Sequence, residues 1–163
     1  MIILAKQTPY FSILKSLKGI SDKLAALFIA ETRDLSQFNH YKKLEKYAGY
    51  NLRQSQSGEY VGTRHMSHIG NKRLSSVLYK MSEETAKYVA EVRIKFLRRQ
   101  LKKRSYRKNL IASSSILLKL IVALIRENRV YQTSQQSNKQ LILLEKQYAE
   151  LKQKDKKKYG QVV

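Results

Sequence analysis

The segment from residue 109 to residue 128 constrains the fold most, because it has almost no polar face. Its aliphatic side chains recur at helical spacing, at Leu110, Leu117, Leu118, Ile121, Val122, Leu124 and Ile125. A helix that is apolar around most of its circumference has to be covered by neighbours on several sides. Its most apolar run, Ile116 to Ile125, is interrupted by Lys119 and is too short to cross a bilayer. We therefore expect this segment to be the buried central helix of a bundle.

The rest of the chain also reads as helical, since it has one proline, Pro9, and no long strand-like alternation. We predict an all-α fold: a helix–hairpin–helix-like opening unit, then long antiparallel helices around one buried helix, with a helical basic tail. The predicted divisions are a lead-in at 1–11, a main domain at 12–131 and a tail at 132–163.

The opening unit is predicted over residues 12–32 as two helices about a turn at Lys18 and Gly19, with Ser21 as the N-cap of the second helix. Such a turn can offer backbone N–H groups to a phosphate, which makes Lys18 and Gly19 candidate nucleic-acid contacts. An ordinary packing turn explains the same residues equally well, and the two interpretations stay open here.

Further helices are predicted at 38–48, ending at Gly49, and at 71–104, either continuous or broken near Ser82. The polar stretch at 133–140 is read as a linker or a helix start. The tail then repeats apolar residues in a seam that could pair with another chain or pack back on its own domain: Leu141, Leu144, Tyr148 and Leu151.

A glycine-rich segment from Gly49 to Tyr79 contains four of the six glycines, and we predict that it forms a polar surface loop before a helix starting near Asn71. Hydroxyl groups in this segment lie close in sequence to cationic and imidazole side chains, a mixture suited to handling phosphate. The candidate nucleic-acid contacts in it are Arg53, Arg64, His65, His68, Lys72 and Arg73.

The formal net charge of +21 favours an anionic partner, and nucleic acid is the commonest one. The block from residue 93 to residue 108 has nine cations and no acid, so a phosphate backbone is the favoured ligand and a solvated basic face the alternative. Its candidate contacts are Arg98, Arg99, Lys102 and Lys103.

Several other chemistries are disfavoured. The absence of cysteine excludes disulfides, thiolate catalysis and cysteine zinc sites. No pair of carboxylates accompanies the three histidines, so we predict no metal site in this chain. The N-terminus has no charge before its apolar run and no small-residue cleavage site, so we expect a cytoplasmic protein that is not attached to a membrane.

One candidate nucleophile remains, Ser57, which precedes Gly58 and lies close in sequence to Arg53, Arg64 and His65. A serine that attacks a phosphodiester needs exposure, help with deprotonation and cations that stabilise the developing charge. A serine in a glycine-rich turn is more commonly a turn-former.

The block AGYNLRQSQSGEYVGTRHMSHIGNKRLSSVLY resembles the signature of the C-terminal transposase domain of the DEDD-type, bridge-RNA-guided transposases of insertion sequences, the one-hundred-ten family. Segments before and after it are similar to the same domain, so the likeness covers roughly residues 12–131. The resemblance implies that Ser57, with Ser55 as a near rival, is the nucleophile that joins covalently to a DNA strand.

The resemblance also implies a partner catalytic unit, an N-terminal RNase-H-like domain whose four carboxylates hold magnesium. No such domain precedes this segment in the sequence, so we expect a partial transposase. Its implied partners are DNA, a guide RNA, and either further copies of itself or a separately encoded N-terminal half. The competing hypothesis is a nucleic-acid-binding remnant or regulator without catalysis.

Overall fold

The computed structural model describes the backbone of residues 1–50, 52–57, 60–66 and 69–159, and the side chains of residues 1–50 and 69–154. Within these ranges the elements are α1 Ile2–Lys6, α2 Pro9–Ser16, α3 Asp22–Thr32, a 3₁₀ helix Leu35–Gln37, α4 Tyr41–Tyr47, β1 Leu52–Ser57, β2 Tyr60–Met66, α5 Lys72–Tyr88, α6 Ala90–Leu101, α7 Tyr106–Arg126 and α8 Gln135–Tyr159. The predicted all-α architecture is confirmed for the body of the molecule. A two-stranded hairpin is the departure from it.

The predicted central helix is α7, and its burial is confirmed. Leu117, Leu118 and Ile121 are fully buried, and α7 contacts α2, α4, α5 and α6. The helix has 21 residues and is long and apolar enough to span a bilayer by length and composition. Length was therefore the wrong reason for excluding a membrane span. The contacts on several sides are the better reason for treating α7 as the core of the bundle.

The opening unit consists of α2 and α3, and Ser21 is the N-cap of α3 as predicted, because its Oγ accepts a hydrogen bond from the N–H of Leu24 at 3.3 Å. Gly19 in the turn has a φ of +104°, which favours glycine. A Cβ at this position would lie 2.9 Å from the carbonyl oxygen of Glu84 and 3.2 Å from the ring of Tyr88. The turn is therefore packed closely against α5.

The helix predicted over 71–104 is broken at Val89, not at Ser82. Val89 is fully buried and extended, with φ −91° and ψ 115°, and it separates α5 from α6. Ser82 lies inside α5 and is fully buried, and its Oγ has no hydrogen-bond partner among the described residues. The predicted lead-in contains a short helix, α1, that contacts α3.

The tail forms α8, which begins at Gln135 within the polar stretch and packs on α6. Leu144 forms a small buried cluster with Ile94 and Leu97 of α6, and Leu141 and Tyr148 pack against it. The predicted apolar seam therefore packs back on its own chain.

Candidate nucleic-acid interface

The glycine-rich segment contains a β-hairpin, so the prediction of a surface loop is wrong for residues 52–57 and 60–66. The strands pair antiparallel in the register Leu52↔Met66, Arg53↔His65, Gln54↔Arg64, Gln56↔Val61 and Ser57↔Tyr60. The register shifts between Gln54 and Gln56, where the single residue Ser55 lies opposite two residues of β2, Gly62 and Thr63. This irregularity is a β-bulge, which bends a hairpin and increases its twist.

The hairpin separates the predicted catalytic residue from some of its predicted partners. Ser57 belongs to the last register pair, while Arg53 and His65 pair with each other four positions before it on β1. At about 3.3 Å per residue this is a backbone separation of roughly 13 Å. Arg64 lies opposite Gln54, on the same side of the bulge as Arg53. The side chains of Ser57, Arg53, Arg64 and His65, and the whole of His68, lie outside the described residues, so their roles stay predictions.

Both ends of the hairpin segment are held together where α4 ends and α5 begins. The N–H of Asn71 donates to the carbonyl oxygen of Tyr47 at 2.8 Å. Gly70 packs so tightly that a Cβ on it would lie 2.5 Å from the nitrogen of Gly49 and 2.6 Å from the Tyr47 carbonyl oxygen. Gly49 itself has a φ of +75° just after α4, as expected of the predicted C-terminal glycine. We call this junction, Tyr47 to Tyr50 with Gly70 and Asn71, the hairpin base.

Asn71 fixes the start of α5 at the hairpin base. Its Oδ1 accepts hydrogen bonds from the N–H groups of Arg73 and Leu74, both at 3.0 Å, and its Nδ2 donates to Oε2 of Glu31 at 2.9 Å. The N–H groups of Arg73 and Leu74 are therefore already bonded to Asn71 and offer no free donor to a phosphate. Lys72 and Arg73 are exposed in this first turn, which contains no acid. A phosphate here would be held mainly by the two cationic side chains and the helix dipole.

Tyr50 links the hairpin base to the body of the molecule. It is buried, and its hydroxyl donates to the carbonyl oxygen of Ser75 at 2.8 Å. Burial raises the pKa of Tyr50, while the nearby Arg107 guanidinium acts in the opposite direction. Arg107, near the start of α7, therefore lies within electrostatic range of Tyr50.

The cations of the 93–108 block have different roles. Nε of Arg93 forms an ion pair with Glu145 at 2.5 Å, and Nε of Arg99 donates to Oδ1 of the fully buried Asn109 at 3.1 Å. Arg99, predicted as a nucleic-acid contact, thus has an internal hydrogen-bond partner that joins α6 to α7. Arg98 and Lys102 are exposed and have no hydrogen-bond or ion-pair partner among the described side chains. Lys103 is exposed, with a φ of +52° in the α6–α7 loop.

The predicted contacts in the opening turn have internal neighbours. Gly19 packs on α5, and Nζ of the exposed Lys18 lies 5.3 Å from the centre of the Tyr88 ring. Lys15 donates to the carbonyl oxygen of Ile20 at 3.0 Å, so this cation supports the turn as well. These contacts account for the turn as a packing unit, and phosphate binding there stays a prediction.

No cluster of three or more His, Cys, Asp or Glu side chains in the described part of the chain could hold a metal ion. His40 caps α4, where its Nδ1 accepts from the N–H of Lys42 at 3.1 Å. Among the described residues, therefore, no ready set of ligands for magnesium is found, and the absence of a metal site from this chain stays a prediction.

Two residues that form the hairpin base, Tyr50 and Asn71, were not among the predicted site residues. The position of Asn71, directly before a helical pattern, is an N-cap signal, whereas nothing in the local sequence indicates the contact of Tyr50 with Ser75.

A comparison of the amino-acid sequence with protein-family models gives a match. The model described as the Transposase IS116/IS110/IS902 family matches residues 11–96, which is more than half of the chain. The matched range includes most of α2, then α3, the 3₁₀ helix, α4, the hairpin, α5 and part of α6. No curated protein matches the sequence. Because the family match covers more than half of the chain, this chain belongs to the Transposase IS116/IS110/IS902 family.

Proposed function

We propose that this chain is a DNA-binding transposase domain in which Ser57 attacks a DNA phosphodiester during insertion-sequence transposition. The observation that supports this most is the position of Ser57 within the matched family region, at the far end of a hairpin whose base is tightly packed. A nucleophile at the far end of such a hairpin would meet a DNA strand away from the tightly packed base.

In the proposed reaction the Oγ of Ser57 forms a bond to phosphorus, and one bond between phosphorus and a deoxyribose oxygen breaks. The serine proton passes to a base, and the departing sugar oxygen takes up a proton. Arg53, Arg64 and His65 on the hairpin would orient the phosphate and neutralise its charge as the transition state develops. Lys72 and Arg73 would do the same from the start of α5.

The exposed cations of α6 and the α6–α7 loop are proposed to hold the DNA backbone. Arg98 and Lys102 project from the surface without internal partners, and Lys103 lies beside them in the loop. Contacts of this kind fix the position of the duplex without reading its sequence. They also make the affinity fall steeply as salt rises, because bound counterions are released from the DNA.

In this proposal, a separate RNase-H-like domain supplies the metal. Magnesium, when bound to the four carboxylates of an RNase-H-like domain, would supply Lewis-acid stabilisation of the phosphate. A guide RNA and a second protein subunit are further partners suggested by the family resemblance. A DNA substrate is consistent with action in the cytoplasm.

The proposal is tested by trapping the protein on a nicked DNA substrate, with a magnesium-binding RNase-H-like domain of the same family added in trans. We expect a covalent protein–DNA adduct that Ser57→Ala abolishes. Ser55→Ala is the matched control, because it removes a neighbouring hydroxyl from the same strand, and it should retain the adduct. An adduct that persists in Ser57→Ala and disappears in Ser55→Ala would assign the role to Ser55.

The same experiment separates catalysis from binding alone. Salt-dependent DNA binding without any adduct, in the presence of the added domain, would favour the non-catalytic alternative. The specific observation behind that alternative is that the exposed cations need no metal and no nucleophile to bind a phosphate backbone.

A further inference from the structure

We propose that α8 and the last turns of α6 form a second DNA-backbone contact, separate from the hairpin, in which Arg98, Lys102 and Lys152 bind phosphates of the duplex. We call these three side chains the α6–α8 surface. The choice of DNA as ligand rests on the proposed function, whereas the existence of the surface rests on how α8 packs.

The two helices run parallel. Near the start of α6, Oε1 of Glu91 accepts a hydrogen bond from Oγ of Ser137 at 3.0 Å. About two turns further along both helices, Leu97 and Leu144 share a buried cluster. Since α6 and α8 advance in the same direction between these two contacts, the C-terminal half of α8 extends toward the C-terminal end of α6. This end of α6 leads into the basic α6–α7 loop.

The apolar cluster between α6 and α8 places cationic side chains of both helices near the C-terminal end of α6. Leu101 of α6 and Tyr148 of α8 both pack against it, so the residues that follow them lie on neighbouring turns. Nζ of Lys152 lies 5.1 Å from the centre of the Tyr148 ring, and Lys102 directly follows Leu101. Arg98 is one helical turn after Ile94, on the flank of the stripe that faces α8.

Charge decides what such a surface binds. Arg98, Lys102 and Lys152 are exposed and have no carboxylate partner among the described residues. The ion pair that joins the two helices, Arg93 with Glu145, lies at an earlier turn. From residue 146 to residue 158 the sequence continues with six lysines and only two acids. A second copy of this surface would add like charge, whereas closely spaced phosphates would relieve the repulsion.

The test measures the dissociation constant for a 20-base-pair DNA duplex between 50 and 200 mM salt, for the full chain and for single lysine-to-glutamine variants. Lys102→Gln and Lys152→Gln should each weaken binding roughly fivefold and reduce the slope of log affinity against log salt by about 0.9, the value for one lost phosphate contact. The matched control is Lys139→Gln, which removes an exposed lysine from the opposite end of α8 and should leave the dissociation constant within twofold. All three positions are exposed, and thermal unfolding checks that the variants remain folded.

A second measurement needs no variant: lysine acetylation read by mass spectrometry, with and without the duplex. Lys102 and Lys152 should be protected by DNA, and Lys139 should not be. The α6–α8 surface would be overturned if the wild-type chain binds the duplex, Lys152 is acetylated equally with and without DNA, and Lys152→Gln binds as tightly as the Lys139→Gln control. That result would leave the proposed function standing. Failure of the wild-type chain to bind the duplex would overturn both.

Discussion

Replacing Gly70 with alanine tests whether the hairpin base is as tightly packed as the structure indicates. The added Cβ would lie 2.5 Å from the nitrogen of Gly49, 2.6 Å from the carbonyl oxygen of Tyr47 and 2.8 Å from the Cα of Gly49. All three atoms belong to the backbone, so no flexible side chain can turn away. Relief of the overlap requires α4 and the start of α5 to move apart.

The cost follows from what that movement disrupts. Overpacking a close contact typically costs about 1–3 kcal/mol. The hydrogen bond from the N–H of Asn71 to the Tyr47 carbonyl oxygen, 2.8 Å long, crosses the same junction, and its weakening adds about 1 kcal/mol. We therefore expect Gly70→Ala to lower the free energy of unfolding by about 3 kcal/mol, or the melting temperature by roughly 6–12 °C for a chain of this length.

Urea unfolding followed by circular dichroism measures this loss. The control is Ser76→Ala, which changes an exposed residue of α5 and should stay within about 0.5 kcal/mol of the wild type. A Gly70→Ala protein as stable as this control would refute the packing of the hairpin base. It would also remove the reason for regarding the hairpin as firmly held at its base.

Three further changes test other contacts. Asn71→Ala removes the N-cap of α5 and should lower the free energy of unfolding by about 1 kcal/mol in urea, whereas no change would contradict the capping role. Burial, followed by the hydrogen bond to Glu91, raises the pKa of Tyr131 to about 12. Because that pKa is higher in the folded state than in the unfolded state, Tyr131 adds stability below pH 10, and this stability is lost as the pH rises toward 12. Tyr131→Phe should therefore flatten the fall in the free energy of unfolding between pH 10 and pH 12. An unchanged slope would count against the hydrogen bond between Tyr131 and Glu91. Asn109→Ala leaves Nε of Arg99 without its acceptor and should lower the free energy of unfolding by about 1–3 kcal/mol. Thermal unfolding of the variant and the wild type measures this loss. Equal stability of the two proteins would exclude this hydrogen bond as a support of the α6–α7 junction.

The features that the sequence predicted well depend on local periodicity and capping. The apolar pattern of 109–128 identified α7, because a helix without a polar face has few alternatives to burial. Ser21 and Gly49 were recognised as helix ends from residue type and position; the Ser21 cap is found as a hydrogen bond, and Gly49 has the positive φ of a glycine after a helix. These signals lie within one or two helical turns and need no knowledge of distant partners.

The hairpin was missed because its strands are mostly polar and lack the alternation of a strand with one buried face. A Gly-Glu pair at positions 58 and 59, between two short runs, is the remaining sequence signal for a tight hairpin connection. The break at Val89 has neither glycine nor proline to indicate it. The internal role of Arg99 depends on Asn109, ten positions away, which no count of positive charge could reveal.

The central claim is that a hydroxyl at the far end of the hairpin attacks DNA. Its most direct test is to digest the trapped protein–DNA adduct with nuclease and protease and to find, by mass spectrometry, the residue that keeps a nucleotide. We expect a nucleotide on Ser57 of β1. A nucleotide on a residue outside the hairpin would contradict it.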